Sequence, residues 1–229
     1  MRDDNARMGR LYLVRHGQAS FGAADYDQLS ALGQRQCAEL GAYLHGRGVV
    51  FEGVMRGTLR RHAQSLQALA STLPGLPDAL EWPGLNEYDS EAVLKAVHPG
   101  PLEAPTTPEA YRLHFRLLRE GLGRWMAGQL QPQGMPTWEQ FLAGVAGALD
   151  RVREHHTGNV LLVSSGGPIS TAVAHVLQAP PSTVIELNLR LRNSALTEFD
   201  FTPKRHMLVT YNTLPHLDHP DRHDWVTYT

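Results

Sequence analysis

Leu11-Tyr12-Leu13-Val14-Arg15-His16-Gly17 begins as four apolar residues and ends in an arginine, a histidine and a glycine. A short apolar run closed by polar residues reads as a strand buried on both faces. The histidine then falls where that strand meets a loop. An imidazole at such a point can attack phosphorus, and a guanidinium beside it can hold phosphoryl oxygens. Gly17 lets the backbone approach an anion closely.

Outward from this strand, the pattern alternates. Cys37, Leu40, Gly41 and Leu44 fall at helical spacing, with Ser30 as N-cap. A second strand is expected over 51–56. It leads into a helix from about Leu59, capped by Thr58, with Leu59, His62, Leu66, Leu69 and Leu73 on one side. Thr137-Trp138-Glu139-Gln140 is a capping box, and the helix it opens carries Trp138, Phe141, Leu142, Val145, Leu149 and Val152 on one face. A third buried strand is expected over 160–163. Ser164-Ser165-Gly166-Gly167-Pro168 then opens another helix, with proline at its first position. Strands over 195–201 and 207–211 are expected to be neighbours.

Residues 74–136 differ, with proline and glycine recurring throughout and one helical piece around 109–126. This stretch reads as an excursion from the sheet, and about 90–136 as a cap-like insertion over a site. Residues 1–10 are polar and charged and read as a disordered lead-in. The expectation is a single α/β domain over 1–229: a three-layer α/β/α sandwich whose mostly parallel sheet has helices on both faces. Ligands of such sheets gather at the carboxyl ends of strands. Arg15-His16-Gly17, Arg56-Gly57-Thr58 and Ser164-Ser165-Gly166 should converge there.

Composition narrows the function classes. The 229 residues carry 42% hydrophobic and 19% charged residues and a net charge of −2. There is no basic excess to suggest nucleic acid. No run is long enough to span a bilayer, and the first residues lack the apolar core of a secretory signal. A cytoplasmic protein is expected. The single cysteine, Cys37, cannot form an internal disulfide and fits a buried helix position.

The chain resembles the histidine phosphatase superfamily, which contains cofactor-dependent phosphoglycerate mutases and many phosphatases. The resemblance runs from about Arg10 to Asp218, and Leu13-Val14-Arg15-His16-Gly17-Gln18 carries its most specific part. The family's serine-proline-leucine, arginine, glutamine and small hydroxyl pattern resembles Gly57-Thr58-Leu59-Arg60-Arg61-His62-Ala63-Gln64-Ser65. Its acid segment resembles Leu85-Asn86-Glu87-Tyr88, and its recurrent ending resembles 212–217.

The resemblance implies catalytic roles for four residues. His16 is the nucleophile that forms a phosphohistidine, Arg15 and Arg61 neutralise the phosphoryl oxygens, and Glu87 is general acid and then base. Glu81, Asp89 and Glu91 are neighbouring carboxylates that compete with Glu87 for that reading. Gly17, Gln18, Ser165 and Gly166 would bind substrate. No cofactor and no metal is implied.

Two departures stand out. Ser165 occupies the place where the family carries a second histidine, so a donor remains and a charge is lost. Gly22 stands near the place of a frequent asparagine. His62 and His216 are the histidines available to compensate. His62, on an apolar helix face, reads first as core. The group His216, Asp218, His219, Asp221, His223 and Asp224 reads as a solvated tail rather than a metal set. Arg112, Arg116 and Arg119 share a helix face that is either solvated or aimed at a second anionic group.

The expected function is hydrolysis of a small phosphomonoester through phosphohistidine. The alternative is a phospho-ligand binding or regulatory protein with weakened catalysis. A phosphoglycerate mutase is a second alternative, disfavoured because Tyr88-Asp89 follows Glu87 where the family's mutases carry an arginine-histidine pair. The partner is a small phosphorylated substrate, with neither nucleic acid nor membrane. Monomer and homodimer both remain open.

Overall fold

The computed structural model describes residues 8–20, 27–102 and 106–228. Six strands form one sheet: β1 (Gly9–Arg15), β2 (Gly53–Arg56), β3 (Ala79–Glu81), β4 (Asn159–Ser164), β5 (Leu196–Thr202) and β6 (Arg205–Thr213). Their order is β3-β2-β4-β1-β5-β6. β1 to β4 run parallel to one another, β5 lies antiparallel to β1, and β5 and β6 complete the sheet as an antiparallel hairpin.

Alternation along the apolar strands separates two cores. Tyr12 and Val14 of β1 and Leu161 and Val163 of β4 pack on α1 (Ala31–Gly46) through Leu40 and Leu44. On that same face they meet α2 (Arg60–Ala70) through Leu69. Leu11 and Leu13 of β1 and Leu162 of β4 face the opposite way. There they join Val145, Leu149 and Val152 of α5 (Trp138–His155) and Ile169 and Val173 of α6 (Gly166–Val176). The result is the expected mostly parallel sheet between two helical layers. Three further helices extend the second core: α3 (Ser90–Val97), α4 (Pro108–Met126) and α7 (Pro181–Asn188), which contribute Val93, Leu122 and Val184.

Local chemistry fixes the helix starts. Ser30 Oγ accepts from Gly33 N–H at 3.0 Å, and Thr137 and Gln140 complete their capping box at 3.2 and 2.9 Å.

The structure differs from the sequence expectations in several places. Pro168 is the third residue of α6 rather than its first, because that helix begins at Gly166. Gly9 and Arg10 belong to β1 rather than to a disordered lead-in, whose first seven residues lie outside the described residues. β2 begins at Gly53, although Phe51 before it is buried. The 74–136 stretch does not leave the sheet altogether, because β3 pairs with β2 along its edge. A three-residue strand is too short to show an alternation. Thr58 does not cap α2: it accepts the Asn86 amide at 2.7 Å, and the Asp27 carboxylate receives the Arg60 N–H at 2.8 Å instead.

Candidate active site

Three strand ends lie side by side. Arg15 pairs with Ser164 and Arg56 with Val163, so β1, β4 and β2 finish at one edge. The ladder continues one step beyond, where His16 N–H donates to Ser164 O at 2.8 Å and Gly57 N–H to Val163 O at 3.2 Å. His16 and Ser165 therefore leave neighbouring strands together, and the convergence expected from topology is present.

His16 is buried. Its Nδ1 lies 2.7 Å from the Gly17 carbonyl oxygen. A carbonyl only accepts, so Nδ1 carries the proton and Nε2 of the neutral ring carries a lone pair. Burial holds this imidazole well below its ordinary pKa, and Arg15, Arg61 and His62 push it further down. Its backbone is anchored by Ser194, whose N–H donates to His16 O at 3.1 Å.

The two arginines are held from different directions. Arg15 donates to the carbonyls of Leu191 and Tyr228. Arg61, in the first turn of α2, pairs with Asp27 at 2.8 Å. The Asp27 carboxylate thus caps α2 and orients its arginine at once, a role with no local signal because 34 positions separate the two residues.

Glu87 follows a short 3₁₀ turn, Pro83–Leu85. Its carboxylate oxygens accept the Gly167 N–H at 3.0 and 3.1 Å, at the start of α6. Burial raises its pKa despite the opposing pull of that hydrogen bond and of Arg61 and Arg15. The competing carboxylates are engaged elsewhere. Glu81 pairs with Arg56, Asp89 caps α3 through Ala92 N–H at 3.0 Å, and Glu91 pairs with Lys95 at 3.3 Å.

Ser165 is fully buried at the N-cap position of α6, yet its hydroxyl makes no capping bond. Its Oγ lies 2.7 Å from Nε2 of His62. The His62 ring is fully buried and its centroid stands 6.0 Å from that of His16. Burial, together with Arg61 and Arg56, pushes its pKa down to about 3. His62 is buried, as its apolar helix face predicts, and its ring also borders the candidate site; its adjacency to Arg61 was the available sequence signal.

The remaining candidates divide. Gly17 is a glycine because a Cβ there would stand 2.3 Å from the Gly33 carbonyl oxygen, so the close approach is to α1 rather than to an anion. Its N–H donates to Ser65 Oγ at 3.1 Å. Gln18 accepts the Ser30 hydroxyl at 2.8 Å and donates its N–H to Gln36 at 2.8 Å. Gly166 sits against Asn188 and Glu87, where a Cβ would be 2.2 Å from Asn188 Oδ1. Gly22 lies outside the described residues.

His216 is buried rather than part of a solvated tail. Its Nε2 lies 2.9 Å from the hydroxyl of Ser194, the residue that holds the His16 carbonyl. Asp218, His219, Asp221, His223 and Asp224 are exposed. Among the described residues, no group of three or more histidine, cysteine or acidic side chains is arranged to hold a metal ion. Arg112 and Arg119 are exposed and paired with Glu109 and Glu186. No described helix is long and apolar enough to cross a membrane.

Fold and edge together define an α/β protein with a neutral, buried histidine set beside two arginines and a carboxyl group. Residues 11–214 match the histidine phosphatase superfamily, branch 1, and the chain belongs to that superfamily. Solved structures share the fold. A phosphoglycerate mutase from Bacillus anthracis superposes with a TM-score of 0.64 at 18% identity, over 94% of this chain and 97% of that one. A mycobacterial glucosyl-3-phosphoglycerate phosphatase gives 0.63 at 21%, over 90% and 99%. A phosphoserine phosphatase from Entamoeba histolytica gives 0.62 at 19%, over 91% and 99%. No curated protein sequence matches.

Proposed function

We propose that the protein hydrolyses a small phosphomonoester through a phosphohistidine at His16. The observation that carries this reading is the tautomer: the Gly17 carbonyl accepts the Nδ1–H, which leaves a lone pair on Nε2 of a ring that feels the charges of Arg15 and Arg61. In the first step Nε2 forms a bond to phosphorus as the bond from phosphorus to the leaving oxygen breaks. Glu87, whose raised pKa favours the acid form, gives its proton to that oxygen. In the second step water attacks phosphorus, Glu87 takes the proton, and the N–P bond breaks to release phosphate. The Gly167 N–H faces the Glu87 oxygens and stabilises the carboxylate present between the two steps.

Mutase activity finds less support, because Tyr88 and Asp89 have structural partners. The Tyr88 hydroxyl accepts the Asn188 amide at 2.9 Å, and Asp89 caps α3. Ligand binding with little turnover is the rival reading, resting on the absence of a second histidine at Ser165. p-Nitrophenyl phosphate separates the two. Wild-type turnover that disappears in His16→Ala, with label recovered on the His16 peptide after brief reaction with a ³²P-labelled ester, supports the phosphatase. Binding of phosphate without turnover supports the rival.

A further inference from the structure

Ser165 and His62 come from segments 103 residues apart and meet at 2.7 Å beside the nucleophile. We propose that His62 is a positioning residue for catalysis: it holds the Ser165 hydroxyl as a donor to the phosphoryl group, so that the pair takes the place of a second histidine. This inference rests on the phosphatase reading above.

Several independent observations point the same way. Ser165 stands at the N-cap of α6, where a serine hydroxyl ordinarily accepts a backbone N–H of the first turn. Here it makes no such bond, and Glu87 receives the Gly167 N–H in its stead. The hydroxyl is thereby released to face His62. Register places Ser165 next to His16, since Arg15 and Ser164 before them are paired on adjacent strands. The ring of His62 is accommodated by Gly57, where a Cβ would lie 2.2 Å from Nδ1. Gly57 and Ser165 both border this one ring.

The direction of the hydrogen bond follows from the ligand. A serine hydroxyl can donate to a neutral imidazole or accept from it. When Oγ donates to Nε2, only its lone pairs are left for a neighbouring anion. When Nε2–H donates to Oγ, the hydroxyl proton is free for a phosphoryl oxygen. A bound phosphoryl group selects the second arrangement, and the chain His62 Nε2–H to Ser165 O–H to oxygen strengthens each link. Nδ1 of His62 has no hydrogen-bond partner among the described residues, so nothing there opposes a proton on Nε2. The histidine acts as a neutral dipole, consistent with its depressed pKa. No covalent step passes through either side chain.

Packing alone makes a different demand on His62, and substitutions distinguish the two. His62→Leu keeps an apolar side chain of similar size, whereas His62→Gln keeps an N–H near the position of Nε2. With p-nitrophenyl phosphate, His62→Leu and Ser165→Ala should each lower kcat/KM by about tenfold, the scale of one well-placed hydrogen bond. His62→Gln should recover most of the loss. The double variant Ser165→Ala/His62→Leu should be no slower than the slower single variant, because both remove the same bond. Thermal melts of each variant check folding.

Unchanged activity in a folded His62→Leu, or losses that add in the double variant, would overturn the proposal. So would His62→Gln as slow as His62→Leu. If wild type turns over nothing, the phosphatase reading fails, and vanadate affinity across the same variants still tests the pair by the same pattern. A wild type that neither turns over nor binds vanadate overturns both.

Discussion

The volume around Ser165 decides what can be engineered there. On sequence grounds, Ser165→His would restore the family residue. In the structure the His62 ring already touches the serine oxygen, and Gly57 closes on its other side. An imidazole added at 165 must displace that ring from a fully buried site. Overpacking of this kind costs about 1–3 kcal/mol, so Ser165→His alone should lower the melting temperature and should not raise kcat/KM. Ser165→His combined with His62→Ala moves the imidazole rather than adding one. It should melt higher and turn over p-nitrophenyl phosphate faster than Ser165→His alone. Steady-state kinetics and melts of the two variants, side by side, check this. Gly17→Ala is a second test and adds a single carbon: its Cβ meets a backbone carbonyl at 2.3 Å, and backbone cannot rotate away. Destabilisation of about 1–3 kcal/mol is expected in urea titration.

At the scale of elements, helix starts carry the argument. Asp27 gives α2 its cap and Arg61 its partner, from a loop far away in sequence. Asp27→Ala removes both and should cost about 1 kcal/mol of stability as a lost cap. Asp27→Asn keeps acceptors for the backbone N–H but loses the charge facing Arg61. It should stay close to wild type in urea and still change KM for an aryl phosphate, because the guanidinium loses its ion pair with Asp27. Equal loss of stability in both variants would show that the charge, not the cap, matters to α2. Thr137→Ala offers the contrast: its capping box should cost about 1 kcal/mol in the same assay, with kcat/KM unchanged, since α5 contributes no residue to the site.

For the molecule as a whole, legibility in the sequence tracked locality. The β1 run, the Ser30 cap and the Thr137 box each lie within a few residues, and each appears where expected. β3, α3 and α7 were not anticipated. Three residues of edge strand and two eight-residue helices among prolines leave little periodicity to detect. In the site, His16, Arg61 and Glu87 sit in short motifs, whereas Asp27 and the His62–Ser165 contact exist only through long-range packing. The same packing buries three histidines, His16, His62 and His216, and this has a global consequence. Burial comes first among the causes that hold each below its ordinary pKa, with His62 and His216 pushed down to about 3. In the unfolded chain each titrates near about 6.5. Above that pH neither state is protonated, and the stability due to their burial as neutral rings is fully present. As pH falls below it, the unfolded chain takes up protons that the folded one refuses. Stability then drops by up to about 1.4 kcal/mol per pH unit for each histidine, until the folded pKa values are reached. Glu87 works in the opposite sense, because its raised folded pKa favours the native state as pH falls, but it is one group against these three and the partly buried His206, pushed down to about 4. Urea titrations at pH 7, 6 and 5 should therefore show a steep loss of stability, with net proton uptake on unfolding at pH 5. His216→Gln should reduce that slope by about one proton, whatever it does to stability at pH 7. An unchanged slope would mean that His216 is protonated in the native protein, and its hydrogen bond to Ser194 would then run from the imidazolium to the hydroxyl.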